Sequence, residues 1–152
     1  MVKAVRAKPA DPGAVTRLKQ EYDLLASLDV PGVVRPISFT PVDGRPALIM
    51  EDAGAQNLKE WLHRREVPGG NLLAIAVQLA EALVRLHERG IIHRDINPWN
   101  VVVDQRGRVT LIDFEVATNV PGGTHAGVPA RIDADLSYVA PEETGRLNRL
   151  VD

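Results

Sequence analysis

The segment His93-Arg94-Asp95-Ile96-Asn97-Pro98-Trp99-Asn100, followed by Ile112-Asp113-Phe114-Glu115, concentrates the side chains best suited to chemistry. Asp95 can orient a substrate hydroxyl and accept its proton. Asn100 and Asp113 are hard oxygen donors of the kind that hold Mg2+ on nucleotide phosphates. Together they fit phosphoryl transfer, which rests on alignment and charge neutralisation more than on covalent chemistry by the protein. Val101-Val102-Val103 and Val109-Thr110-Leu111-Ile112 are β-forming runs around the polar turn Asp104-Gln105-Arg106-Gly107-Arg108. The pattern predicts a hairpin with Asn100 at one end and Asp113 at the other, so that both ligands reach one ion. A surface hairpin flanked by ordinary acidic residues is the alternative. It leaves unexplained why an Asp directly follows an apolar run.

Other elements must position this segment. Val2 to Arg6 reads as a short strand. Asp11-Pro12 starts a helix, with Asp as N-cap and Pro at the first helical position, running to about Leu28. Val15, Leu18, Tyr22 and Leu25 recur on one face, and Glu21 lies at the edge of that stripe. A Lys on the preceding strand, Lys3, gives Glu21 a reason beyond solvation. Val33 to Thr40 and Pro46 to Glu51 read as strands joined at Asp43-Gly44. Asn57 caps a helix from Leu58 to Arg65, with Trp61 and Leu62 facing the core. Pro68-Gly69-Gly70 breaks the chain, and Asn71 caps a long helix from Leu72 to Arg89. Its stripe is Leu72, Ile75, Leu79, Leu83 and Leu86, and Gly90 ends it. His87 near that end reads as a partly buried residue compatible with the helix dipole, not as a ligand. After Thr118 the chain reads as a long loop.

Composition narrows the function. The 152 residues are 45% hydrophobic, enough for a packed core. A net charge of −2 gives no reason to expect nucleic acid or an anionic membrane as partner. The absence of Cys excludes disulfides, thiolate metal sites and thiol nucleophiles. The first residues, Met1-Val2-Lys3-Ala4-Val5-Arg6, lack the apolar stretch of a signal peptide, and no apolar run is long enough to span a membrane. A cytoplasmic protein is the expectation.

Over nearly its whole length the chain resembles a protein kinase. His93-Arg94-Asp95 with Asn100 resembles the catalytic loop, Asp113-Phe114-Glu115 the D-F-G magnesium motif, and Ala140-Pro141-Glu142 the A-P-E that closes the activation segment. More narrowly, Asp95-Ile96-Asn97-Pro98 and the stretch Pro141 to Arg149 resemble the serine/threonine-kinase-like domain of large bacterial signalling proteins, which precedes an ATPase domain and often a sensor histidine kinase. The resemblance implies an α+β, protein-kinase-like fold. Residues 1–52 would form an incomplete small lobe, an antiparallel sheet plus one helix. Residues 53–152 would form the front part of a mainly helical large lobe, ending just after the activation segment. It implies ATP and Mg2+ as cofactors, with Asn100 and Asp113 on the metal and Asp95 on the acceptor hydroxyl. Lys3 would clamp phosphates and Glu21 would hold Lys3. Met50, Glu51 and Ala53 would form the adenine hinge, with Val102 also against the nucleotide. Leu25, Ile37, His93 and Phe114 would stack as an apolar column. Implied partners are ATP and either a protein substrate or a missing kinase/ATPase domain.

The chain also departs from the pattern. No Gly-rich phosphate loop precedes Lys3. Asn97 stands where such kinases usually carry a Lys that neutralises the γ-phosphate. Glu115 replaces a Gly, bringing negative charge near the metal. Ala134-Asp135 replaces a Gly-Thr, and the chain stops at Asp152. A fragment truncated at both ends is therefore the expectation. Three readings follow: a kinase acting on protein Ser or Thr, a nucleotide- or partner-binding module without transfer, and a small-molecule phosphotransferase, whose motifs often read Ile-Asp-Phe-Glu. The Ala140-Pro141-Glu142 closure favours the first over the third, and the missing loop favours the second.

Overall fold

Asp43 and Gly44 both adopt positive φ, 50° and 71°, and this fixes the first sheet. Such a turn matches the natural twist of two adjacent strands, and Gly44 takes the conformation without strain. It joins β2 (Pro36–Val42) to β3 (Arg45–Met50), with Val42 opposite Arg45. Strand β1 (Val2–Ala4) pairs with the other edge of β3, giving the antiparallel order β1-β3-β2. Helix α1 (Pro12–Ala26) packs on β2 and β3. It buries Leu18, Glu21 and Leu25, which lie on one helical face.

The structure, a computed structural model, describes residues 1–5, 12–54, 56–63, 69–119 and 138. The expectations for Asp11, Arg65, Ala134-Asp135 and the stretch Ala140 to Arg149 lie outside these residues.

The remaining elements form the second part of the molecule. Strand β4 (Gln56–Asn57) leads into α2 (Leu58–Leu62). Asn57 caps this helix by accepting from the Glu60 N–H, and Glu60 returns a bond to the Asn57 N–H. Helix α3 (Gly69–His87) is followed by β5 (Ile91–Ile92), β6 (Val101–Val103), β7 (Val109–Leu111) and β8 (Thr118–Asn119). The β6-β7 hairpin is present as expected, with Val101 opposite Leu111 and Val103 opposite Val109. Strand β4 adds to its β6 edge, and β5 pairs with β8. The segment 32–34 ties the two parts together. Leu111 N–H donates to the Gly32 carbonyl at 2.8 Å, and Val34 N–H to the Leu111 carbonyl at 3.0 Å. One apolar cluster runs through both parts, from Leu18, Leu25 and Leu48 to Ile75, Leu86, Leu111 and Phe114.

The fold is α+β, as expected, but several local readings need correction. Ile37 is 61% exposed and takes no part in the apolar column. The β2-β3 register slips between Pro36 and Ser38, and such a bulge turns the extra side chain away from the core. Helix α3 starts at Gly69, so Asn71 lies inside its first turn and is not its cap. Leu62, Leu72 and His87 are exposed. Among the described residues no helix is long and apolar enough to cross a membrane.

Candidate active site

The catalytic-loop side chains are held by one another. Asn100 Nδ2 donates to Asp95 Oδ2 at 2.9 Å and to the Asp95 carbonyl at 3.0 Å. Asn97 Nδ2 donates to Asp95 Oδ1 at 3.1 Å. Asn97 Oδ1 accepts from the Trp99 and Asn100 N–H groups, which closes the turn that carries Asn100 back toward Asp95. The Asp95 carboxylate is thus fixed by two amides in a half-buried position. His93, two residues before Asp95, is only 1% exposed. The His93 ring meets Phe114 edge-on at 4.6 Å between centroids.

The hairpin and the loop after β7 bring the second carboxylate to the first group. Ile112 N–H donates to the Asn100 carbonyl at 2.9 Å, so Asn100 and Asp113 sit at the same end of the hairpin. Asp113 and Arg94 adopt left-handed backbone, with φ of 64° and 65°. Non-glycine residues reach this region at a cost of roughly 1–2 kcal/mol, and such strain concentrates at functional sites. Arg94 is anchored there by its Nε, which donates to Thr118 Oγ1 at 3.1 Å.

Lys3 connects the two parts. Its Nζ lies 2.7 Å from Glu21 Oε2, 2.8 Å from Asp113 Oδ1 and 3.3 Å from Glu115 Oε2. Glu21 Oε1 accepts from the Phe114 N–H at 3.0 Å. A single helix carboxylate therefore holds both the strand lysine and the backbone beside Asp113. Burial alone would lower the pKa of Lys3. The Asp113 charge, with hydrogen bonds to Asp113 and Glu21, outweighs it and leaves Lys3 above its ordinary value. Burial pushes the Glu21 carboxyl up, against the pull of Lys3 and the Phe114 N–H.

The hinge residues follow β3. Met50 is buried and its backbone pairs with Met1, while Glu51 is exposed and donates its N–H to the Arg35 carbonyl. None of the described residues hydrogen-bonds the Glu51 carbonyl or the Ala53 backbone. Gly54, at φ 132°, follows immediately. A Cβ there would lie 3.1 Å from the Asp104 backbone, so the hinge can press against the hairpin turn only with glycine. Val102 is buried on β6 between Asn57 and Thr110.

The structure therefore brings Lys3, Glu21 and Asp113 into contact, and Asp95, Asn97 and Asn100 into contact. It leaves Met50, Glu51, Ala53 and Val102 as the separate hinge and β6 group. Two features escaped the sequence reading. Arg17 Nε donates to Glu115 Oε1 at 3.2 Å, tying α1 to the loop across 98 residues, a separation that no local spacing signals. Lys59 lies over the Trp99 ring at 4.1 Å, and Tyr138 meets that ring edge-on at 5.6 Å; nothing in the spacing pointed to this. A cavity of about 510 Å³ between Trp61, Ile75, Gln78 and the 104–107 turn lies apart from all these groups. Among its described lining residues the one carboxylate, Asp104, is committed to the Arg108 and Arg106 N–H groups and the Arg108 guanidinium, which hold it below its usual range.

Residues 1–149 match the family model described as the protein kinase domain. The serine/threonine-protein kinase pkn2 of Myxococcus xanthus is 34% identical over 140 residues, covering 88% of this chain and 17% of the relative. PknB of Mycobacterium leprae, also a serine/threonine-protein kinase, is 28% identical over 148 residues, covering 93% of this chain and 24% of its own length. PrkC of Bacillus subtilis, of the same description, is 28% identical over 135 residues, covering 85% and 20%. The chain thus spans about a fifth of the length of these relatives.

Proposed function

The chain belongs to the protein kinase family, and on that premise we propose that it binds ATP and transfers the γ-phosphoryl group to a Ser or Thr hydroxyl of a bacterial signalling protein. The observation that supports this best is the Lys3 ammonium held between Glu21 and Asp113, on a lysine drawn from a different part of the molecule than the Asp95 loop. Lys3 would contact the phosphates, and Glu21 would keep it aimed. Glu51 and Ala53 would offer backbone groups to adenine, with Met50 and Val102 as apolar walls. Asp95, immobilised by Asn97 and Asn100, would receive the acceptor hydroxyl and its proton. Asn97 would serve by orienting Asp95, in place of a lysine.

The donor set fits Mg2+. Asp113 offers a partly exposed carboxylate. Asn100 spends its amide N–H on Asp95, and none of the described residues donates to its Oδ1. No group of three or more carboxylate or imidazole ligands occurs among the described residues, so the phosphates would complete the coordination. When bound, the ion would neutralise phosphate charge.

A division into a small lobe over 1–52 and a large lobe over 53–152, a cytoplasmic location and a kinase/ATPase partner domain belong to the same proposal. A second reading, nucleotide binding without transfer, is favoured by Glu115, whose carboxylate adds negative charge at Lys3. Calorimetry and a phosphotransfer assay on two variants decide between them. Asp113→Asn should abolish the Mg2+ dependence of ATP binding. Asp95→Asn should leave binding nearly unchanged and abolish transfer. ATP binding without transfer by the wild type would establish the second reading. Loss of affinity in Asp95→Asn with retention in Asp113→Asn would overturn the assignment of the carboxylates.

A further inference from the structure

Glu115 stands where the kinases that the chain resembles carry glycine, and its side chain is only 27% exposed. Oε2 lies 3.3 Å from Lys3 Nζ, while Oε1 accepts from Arg17 Nε at 3.2 Å. Arg17 and Glu21 are four residues apart on α1 and share a face. The loop after β7 is therefore fastened to α1 twice, through the Phe114 N–H to Glu21 and through Glu115 to Arg17.

The two fastenings differ in kind. Glu21, its side chain fully buried, holds Lys3 at 2.7 Å. Glu115 shares Lys3 with Asp113, on the ammonium that nucleotide phosphates would approach. A carboxylate free to swing at that point would repel them. We infer that Arg17 is a positioning residue for nucleotide binding, holding the Glu115 carboxylate against α1 so that Glu115 can release Lys3 to phosphate without following it. The inference rests on the kinase reading above. Phosphate and Glu115 compete for Lys3, and Arg17 gives the displaced carboxylate a place to remain neutralised. Without Arg17 the extra negative charge of this unusual D-F-E segment falls on the phosphates.

A double-mutant cycle on the full chain tests this, with Mg–ATP affinity measured by calorimetry for wild type, Arg17→Met, Glu115→Gln and the pair. Arg17→Met should weaken binding about two- to fivefold, the scale of a partly exposed ion pair. Glu115→Gln should not weaken it. In the Glu115→Gln background Arg17→Met should have no further effect; with Glu115 present, Arg17→Lys should keep most of the wild-type affinity that Arg17→Met loses. Equal weakening in both backgrounds would mean that Arg17 meets the phosphates directly, and no weakening in either would mean that the pair only braces the fold; each overturns the inference. A wild-type chain that binds no Mg–ATP overturns the kinase reading and the inference with it. A wild type that binds but gives an additive cycle overturns the inference alone.

Discussion

The backbone N–H of Asp95 donates to Nδ1 of His93 at 3.2 Å, and this fixes the charge state of the ring. Its other nitrogen, Nε2, lies 3.1 Å from the Ile112 carbonyl, which can only accept. The proton must therefore sit on Nε2, leaving Nδ1 bare. Burial lowers the His93 pKa and outweighs the opposing pull of the Ile112 carbonyl, Asp113 and Asp95. One neutral imidazole thus ties the residue bearing the proposed base to the residue before the proposed metal ligand.

Stability should depend on that neutrality. The folded pKa of His93 lies below its ordinary 6.5, so its contribution is present above 6.5 and is lost as pH falls through the folded value. Melting curves between about pH 8 and about pH 5 should show a fall in wild type that is reduced in His93→Phe. The variant should also lose about 1–3 kcal/mol at neutral pH, because the bond from the Asp95 N–H to the ring is lost. An unchanged pH slope in the variant would place the acid sensitivity elsewhere.

Lys3 should matter to stability as much as to phosphate. Its removal in Lys3→Met leaves Glu21, with a fully buried side chain, without its cation. Breaking a buried pair costs about 3–5 kcal/mol, and the partial exposure of Lys3 puts the expectation at about 2–3 kcal/mol near neutral pH. The Glu21 carboxyl, already raised by burial, rises further without Lys3. A raised carboxyl is tolerated below its unfolded value and costs stability as pH rises through the folded one. Urea unfolding should therefore show the deficit shrinking at acidic pH. A deficit independent of pH would point to lost packing of the lysine stem.

Much of the site was legible because its signals are local. The hairpin from Val101 to Leu111 needs only two runs of β-formers around a glycine turn, and the Asp43-Gly44 turn needs only its two residues. Lys3 and Glu21 were found by burial pattern and resemblance together, since the contact spans 18 residues and two elements. Ile37 was misplaced because a bulge shifts register without any composition signal. The Arg17–Glu115 pair spans 98 residues, and helix periodicity marks Arg17 only as exposed. The short strands β4 and β8 exist only through pairing with β6 and β5, which propensity cannot show.

Helix α3 turns apolar side chains to solvent as well as to the core. Leu73, Val77 and Val84 are 67%, 50% and 57% exposed on one face. The isolated chain should bind a hydrophobic dye and self-associate as concentration rises. Leu73→Glu with Val77→Lys should suppress both while shifting the melting temperature little, since exposed substitutions usually fall within about 0.5 kcal/mol. Undiminished dye binding in the double variant would place the sticky surface elsewhere.

Asn100 performs two tasks that a single substitution separates. Its Nδ2 fixes Asp95, while its Oδ1 is left as a donor for a cation. Asn100→Asp keeps the oxygen and replaces the amide by a second carboxylate about 2.9 Å from Asp95 Oδ2. Two carboxylates at that distance cannot both ionise freely, so at least one pKa must rise. A raised pKa costs stability above it and is relieved as pH falls. The variant should lose about 2–3 kcal/mol at neutral pH and regain much of it once the pair shares a proton. Added Mg2+ should stabilise Asn100→Asp more than wild type, since the ion would draw on two carboxylates and Asp113 together. Melting temperatures with and without Mg2+ at two pH values measure both effects. Equal stabilisation of the two proteins by Mg2+ would show that the Asn100 position does not face the cation, and that its only task is to hold Asp95.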